Sequence, residues 1–225
     1  MKFVILITAL AAVAFAEDEF CYQTAQRFCS AQGSDLECNA KYGGITTVLT
    51  DLQKYVTRHI EVSFDYLLLS THFGNYEKER NGFKKLYRKL SDEKWAKSMD
   101  IIKKIAQRGG SMDFNVRDTS NKTLTFEVSE LESLAKALDI EKSLAKQGIQ
   151  IHGQVSHKAS GTEEGSTVYD PEIGHYLEEE IMEGQAKNVR ELSGYTNDLS
   201  TLLHTDGESS AISLFLFDEY LSQNI

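Results

Sequence analysis

The sequence predicts an all-α protein: a four-helix bundle with one long crossover connection and a short fifth helix at the C-terminus. Four long segments repeat apolar residues at steps of three and four, which is the spacing of one buried helix face. Proline, which interrupts helices, occurs once in 225 residues. The polar segment 109–128 is long for a connection between adjacent helices, so we expect it to cross the length of the bundle.

The first two helices are predicted over about residues 46–73 and 80–107. The apolar face of the first is formed by Leu52, Tyr55, Val56, Val62, Tyr66, Leu69 and Phe73. That of the second is formed by Phe83, Leu86, Leu90, Ile101 and Ile105. Glycine is common just past the end of a helix, and Gly74 and Gly109 stand at these positions.

The remaining helices have readable starts. Ser129 and Glu132 form the S-x-x-E capping-box pattern ahead of the third helix, which extends to about residue 157. Asp170-Pro171 places a favoured N-cap before a proline at the first helical position, and this fourth helix extends to about residue 203. An apolar fifth helix covers 209–221, and the segment 158–169 is predicted to be a flexible loop.

The N-terminus predicts a secretory signal peptide. Lys2 precedes an apolar run that ends in the small-x-small triplet Ala14-Phe15-Ala16, so cleavage is expected before Glu17. The alternative is a membrane anchor, but the apolar run is shorter than the roughly 20 residues that a spanning helix needs. No later segment predicts a membrane span. The predicted parts are a signal peptide over 1–16, an extension over 17–45 and the helical bundle over 46–225.

Three cysteines, Cys21, Cys29 and Cys38, lie in the extension, where a secreted route favours disulfides. An odd number leaves one without a partner in its own chain, so we predict a disulfide to another chain. The alternative is one internal pair and a free thiol. The triplet that begins at Asn121 is a sequon for N-glycosylation, which suits the same compartment.

The acidic composition argues against nucleic acid as a partner. The chain has 24 Lys and Arg against 34 Asp and Glu, which gives a formal charge of −10 at pH 7. It also has no basic block that would follow a phosphate backbone.

Six polar residues fall on the predicted buried faces of the long helices: His59, Tyr66, Lys94, Lys97, Glu141 and Gln185. A bundle that holds two iron ions presents glutamates and Glu-x-x-His motifs to its interior. Here one carboxylate faces two ammonium groups, and iron needs anionic oxygen ligands to balance its charge. We predict instead that at least one lysine pairs with Glu141 in the space of the metals. Alternatively, both lysines reach the surface along their methylene stems.

The ordered helix sequences resemble the ferritin family, and within it the light-chain type of secreted insect ferritin. The likeness covers most of residues 46–222. It is carried by DYLLLSTHF, NGFKKLYRKLSDEKWAKSMDIIKKIAQRGG, ALDIEKSLAKQ, DPEIGHYLEEEIMEGQAKNVREL and LFLFDEYL, in this order. The signal peptide and the cysteine-bearing extension resemble the secreted forms. The resemblance implies a ferritin-like four-helix bundle.

The resemblance implies that the six inward residues occupy the positions of the family's ferroxidase centre. Three metal ligands are then replaced, by His59, Lys94 and Lys97. Three residues of the family's centre are kept, namely Tyr66, Glu141 and Gln185. The resemblance therefore implies a chain without ferroxidase activity and without a bound di-iron centre, whose iron is the ferric mineral stored in the shell.

Two further iron-related regions follow from the resemblance. The light-chain nucleating glutamates, on the cavity side of the second helix, fall on Lys85, Arg88, Lys89 and Asp92. These residues argue against a direct nucleating role. The acidic positions of the three-fold channel fall on His175 and Glu178, which share a helix face. We expect them to guide or bind ferrous ions; alternatively, they are surface residues at a subunit contact.

The resemblance implies a catalytically silent subunit of a hollow 24-subunit iron-storage shell. The expected partners are copies of itself and a heavy-type ferroxidase subunit, with an interchain disulfide from the cysteine-bearing extension. The expected location is the secretory pathway and the haemolymph. Two alternatives are a residual ferroxidase that uses His59, Tyr66 and Glu141, and a secreted helical-bundle protein of the ligand-binding or cytokine-like class.

Overall fold

The computed structural model describes residues 22, 24–26, 38–117, 129–156, 169–205 and 210–225. The predictions that lie outside the described residues are the signal peptide, Cys21, Cys29, Asn121 and the loop up to residue 168. The chain forms two compact units, Met1–Asn39 and Ala40–Ile225. In the first unit Cys38 is disulfide-bonded. The second unit carries the helical bundle.

The predicted all-α class is confirmed, since all regular structure among the described residues is helical. The helices are α1 (Ile45–Phe73), α2 (Asn81–Gln107), α3 (Glu130–Ser156), α4 and α5 (Ser210–Asn224). Helix α4 begins as Pro171–Tyr176, continues as a π-helical segment over Leu177–Met182 and resumes as an α-helix over Glu183–Thr205. None of the helices in the described part of the chain is long and apolar enough to cross a membrane.

The four long helices enclose one core. Helix α1 packs along α2 and α3, α3 packs along α4, and α5 packs on α2 and α4. The described start of the crossover lies on α1: Gln53 donates to the carbonyl of Ser111 at 2.7 Å, and Thr57 donates to that of Val116 at 3.0 Å. The largest fully buried side chains include Tyr55, Tyr66, Phe73, Phe83 and Tyr87.

Local sequence signals set several helix ends. The Ser129 hydroxyl accepts from the backbone N–H of Glu132 at 3.2 Å and donates to its carboxylate at 2.8 Å. Asp170 caps α4 by accepting from the N–H of Ile173 at 3.2 Å. Gly109 follows α2 with φ of +74°, and a Cβ there would lie 2.7 Å from the backbone nitrogen of Lys41. Only glycine suits this backbone conformation together with so close an approach.

A buried ion pair connects the end of α2 with the starts of α1 and α4. Arg108, after α2, lies 2.7 Å from the Asp170 carboxylate and donates to the carbonyl of Tyr42 at 2.8 Å. Asp170 also accepts from the N–H of Gly44, just before α1, at 2.8 Å. Burial opposes the ionisation of Asp170, but the hydrogen bonds from Arg108 and the two N–H groups outweigh it and lower its pKa.

The π-helical segment, which we did not predict from the sequence, keeps one face of α4 in the core. Ile173, Leu177, Ile181 and Gln185 are all buried and are spaced by four. A regular α-helix turns about 100° per residue, so each step of four overshoots a full turn by about 40°. The wider π-helical turn offsets this drift. As a result Gln185 still points to the centre of the bundle.

Candidate functional site

Four of the six inward residues meet at the centre of the bundle, one from each long helix. Lys94 and Glu141 form an ion pair with 2.6 Å between Nζ and Oε2, and their side chains are only 4% and 0% exposed. Tyr66 donates to the other carboxylate oxygen of Glu141 at 2.8 Å. Burial and the Glu141 carboxylate raise the pKa of Tyr66 well above its usual value, so its hydroxyl stays a neutral donor. The predicted lysine–Glu141 pair is therefore present in the structure.

Gln185 completes this central network of Tyr66, Lys94, Glu141 and Gln185. Its amide oxygen accepts from Lys94 at 3.1 Å, and its amide nitrogen donates to the backbone carbonyl of Glu141 at 2.9 Å. The same nitrogen also donates to the Glu141 carboxylate. Three side chains thus donate to one carboxylate, whose charge is balanced by a single ammonium group. Such full hydrogen bonding is what makes a buried charge tolerable.

His59 lies beside the network, but among the described residues it has no hydrogen bond to it. Its Nδ1 donates to the carbonyl of Tyr55 at 2.9 Å. Burial, together with the positive charge of Lys94, lowers the pKa of His59 to about 3. The ring is therefore neutral near pH 7, and its Nε2 carries a lone pair.

Lys97 does not reach Glu141. Its ammonium group lies 3.3 Å from the carboxylate of Glu180 on the π-helical segment, and its side chain is 28% exposed. It lines a cavity of about 540 Å³ between α2 and α4, together with His59 and Lys94. The prediction that both lysines point inward therefore holds for Lys94 but not fully for Lys97, because α4 offers Lys97 a nearer carboxylate at the rim of the bundle.

The structure does not pair His175 with Glu178. His175 is exposed and lies 3.1 Å from the carboxylate of Glu179, one turn further along α4. Glu178 instead contacts His152 of α3, with 2.7 Å between Oε1 and Nε2. We missed His152 in the sequence because it is 26 residues from its partner and shows no ligand spacing. A role of His175 and Glu178 at a channel stays a prediction.

The residues at the bundle centre do not fit a di-iron centre. Two iron ions would need several carboxylates, whereas the central network has one, already neutralised by Lys94. Across the described ranges of the chain, no three His, Cys, Asp or Glu side chains are grouped so that they could hold a metal ion.

Comparisons with known proteins agree with this architecture. The ferritin family model, described as a ferritin-like domain, matches residues 49–202. The ferritin light chain of Drosophila melanogaster is 42% identical over 234 residues, covering 99% of this chain and 100% of that protein. The ferritin light chain of Trichoplusia ni is 39% identical over 237 residues, covering 100% of both. The crystal structure of Trichoplusia ni secreted ferritin matches with a TM-score of 0.82 at 39% identity, covering 92% of this chain and 100% of that one.

Proposed function

The chain belongs to the ferritin family, and we propose that it is a non-catalytic, light-chain type subunit of a secreted iron-storage and iron-transport shell. In this role it assembles with copies of itself and with a heavy-type ferroxidase subunit into a 24-subunit particle. The observation that carries the proposal is the buried ion pair between Lys94 and Glu141, 2.6 Å apart at the centre of the bundle.

The ion pair supports the non-catalytic role on electrostatic grounds. A ferrous ion that bound Glu141 would have to displace Lys94 from it, which would leave a buried ammonium group without its counter-ion. Charges of like sign interact strongly in a medium of low dielectric constant, so the displaced ammonium group would also repel the metal. Oxidation of ferrous iron is then the task of the heavy-type partner, while this chain contributes shell and cavity surface.

Exposed apolar side chains support assembly into a larger particle. Phe64, Leu68 and Trp95 are exposed on the outer faces of α1 and α2. Helix α5 exposes a second group, Ile212, Phe215, Leu216 and Tyr220. Clustered apolar side chains on a surface mark sites of protein association. Both groups are thus candidates for contacts between subunits.

Several features support secretion and a covalent partner. The relatives include two insect ferritin light chains, and the related structure is that of a secreted ferritin. We propose that residues 1–16 are removed as a signal peptide, that Asn121 is glycosylated and that His175 and Glu178 serve a channel. Cys38 is disulfide-bonded. One internal bond would use two of the three cysteines and leave the third for the heavy-type partner.

Expression of the chain alone and together with a heavy-type ferritin chain tests the proposal. Size-exclusion chromatography and a non-reducing gel with iron staining report the particle mass, the interchain disulfide and the stored iron. Stopped-flow absorbance reports the oxidation of ferrous iron. We expect the mixed particle to oxidise and store iron and the chain alone to oxidise it no faster than buffer. A species near 25.3 kDa, or turnover by the chain alone at the rate of a heavy-type chain, would overturn the proposal.

A further inference from the structure

A surface groove of about 980 Å³ lies between the C-terminal part of α1 and the N-terminal half of α2. The residues that line it from α1 are mostly small or apolar: Leu67, Ser70, Thr71 and Gly74. Those that line it from α2 are all charged: Lys84, Lys85, Arg88, Lys89, Asp92 and Glu93. Ile225, which follows α5, lines it as well. We call this feature the basic groove.

The basic groove is positive although the chain is acidic. Its four basic side chains face two carboxylates, which leaves a formal side-chain charge of 4 − 2 = +2, against −10 for the whole chain. Lys85 and Lys89 are four residues apart on one helix, as are Lys84 and Arg88. Like charges at this spacing repel one another and destabilise a helix. A bound anion would relieve that repulsion.

The groove also contains hydrogen-bond donors that have no partner among the described residues. Among the described residues, the ammonium groups of Lys84 and Lys89 have no ion pair or hydrogen bond. Arg88 uses its Nε on Asp92 at 2.9 Å, and its terminal nitrogens have no partner in the same part of the chain. Lys85 donates to the carbonyl of Ser222 at 2.6 Å, which fixes the groove to the end of α5. Two ammonium groups and the free edge of a guanidinium group suit a tetrahedral oxyanion.

We propose that the basic groove is a binding site for inorganic phosphate. The consequence of phosphate binding for iron storage rests on the proposed function. In a shell subunit this part of α2 would face the cavity, where bound phosphate would present anionic oxygens to ferric iron. Hard metal ions prefer such oxygen ligands. Bound phosphate would then offer ferric iron the anionic oxygen ligands that Lys85, Arg88 and Lys89 lack. The stored mineral would also be enriched in phosphate.

Titration of the iron-free protein with inorganic phosphate, followed by isothermal calorimetry in a buffer of low ionic strength, tests this site. The variant is Lys84→Gln/Lys89→Gln. The matched control, Lys103→Gln/Lys142→Gln, removes two exposed lysines outside the groove. We expect saturable binding to the wild type, about tenfold weaker binding to the groove variant and less than about a twofold change in the control. Both variants change exposed residues only, and circular dichroism checks their folding.

Three results would overturn the assignment: no saturable binding, equal losses in the groove and control variants, or adenosine monophosphate binding more than about tenfold more tightly than inorganic phosphate. The last result would identify an organic phosphate as the ligand. The particle mass, measured on the same samples, separates this inference from the proposed function. A monomer that binds phosphate would contradict only the shell, and a shell that binds none would contradict only the groove.

Discussion

The ammonium group of Lys94 lies 2.6 Å from the carboxylate of Glu141, and both side chains are almost completely buried. Each charge in such a pair is tolerable only while the other is present, because an unpaired ion in the protein interior is strongly unfavourable. The pair therefore has two effects. It makes the stability of the folded bundle depend on both residues. It also gives Glu141, the one carboxylate of the central network, a counter-ion that belongs to the chain itself.

Removal of one member of the pair should destabilise the fold. In Lys94→Met we expect a loss of about 3–5 kcal/mol in the free energy of unfolding, since Glu141 is left buried without a counter-ion. Lys94→Met/Glu141→Gln should recover most of that loss, because it removes both charges and keeps an amide for Tyr66 and Gln185. Urea unfolding followed by circular dichroism measures both, with the exposed Lys103→Met as control. Equal stability of Lys94→Met and the control would refute the expectation.

Because of His59, the stability of the fold should fall as the pH is lowered. Burial and Lys94 lower its folded pKa to about 3, below the value of 6.5 that it has in an unfolded chain. Between these two values the unfolded state binds a proton that the folded state does not, so the contribution of His59 to stability falls as pH is lowered. We expect a slope of up to about 1.4 kcal/mol per pH unit from this group between pH 6 and 3.

The variant His59→Asn removes this titration and should flatten the fall in stability over that pH range. His204→Asn, at an exposed position near the end of α4, should keep the wild-type slope. Denaturation midpoints measured at half-unit intervals of pH compare the three proteins. The same slope in His59→Asn as in the wild type would contradict the assignment of a buried neutral histidine.

Arg108 contacts two acidic residues, Asp170 and Glu172, so the effect of burial on the strength of an ion pair can be compared at one cation. Asp170 is 4% exposed and Glu172, which also contacts Arg108, is 47% exposed. We expect Asp170→Asn to cost about 2–4 kcal/mol, because it weakens a buried pair and the N-cap of α4. Glu172→Gln should cost less than about 1 kcal/mol, because water screens its charge. Thermal and urea unfolding measure the difference, and similar losses in the two variants would show that burial does not control this contact.

The helices could be predicted from the sequence because their signals are local. Ser129 and Asp170 cap their own helices through backbone groups three residues away, and the apolar repeat of α1 and α2 reports one buried face. The six inward positions followed from the same repeat, and four of them meet at the centre. A lysine partner could be predicted for Glu141 because no other carboxylate lay on a predicted inward face, but only the structure distinguishes Lys94 from Lys97 as that partner.

The features that were not predicted from the sequence depend on contacts between residues that are far apart in it, and no local pattern contains such contacts. Lys97 turns to Glu180 because the π-helical segment of α4 presents that carboxylate beside it, and a regular α-helical repeat does not predict such a segment. The contact between His152 and Glu178 joins α3 and α4 between residues that are 26 positions apart in the sequence. The basic groove was visible in the sequence only as Lys85, Arg88, Lys89 and Asp92, and its volume needed the packing of α1 on α2.

The most direct test is a crystal of the assembled chain soaked with a ferrous salt without oxygen, with anomalous scattering measured at the iron absorption edge. We expect Lys94 still to contact Glu141 and no iron peak to lie at bonding distance from this carboxylate. Two bridged iron atoms between Glu141 and His59 would contradict it.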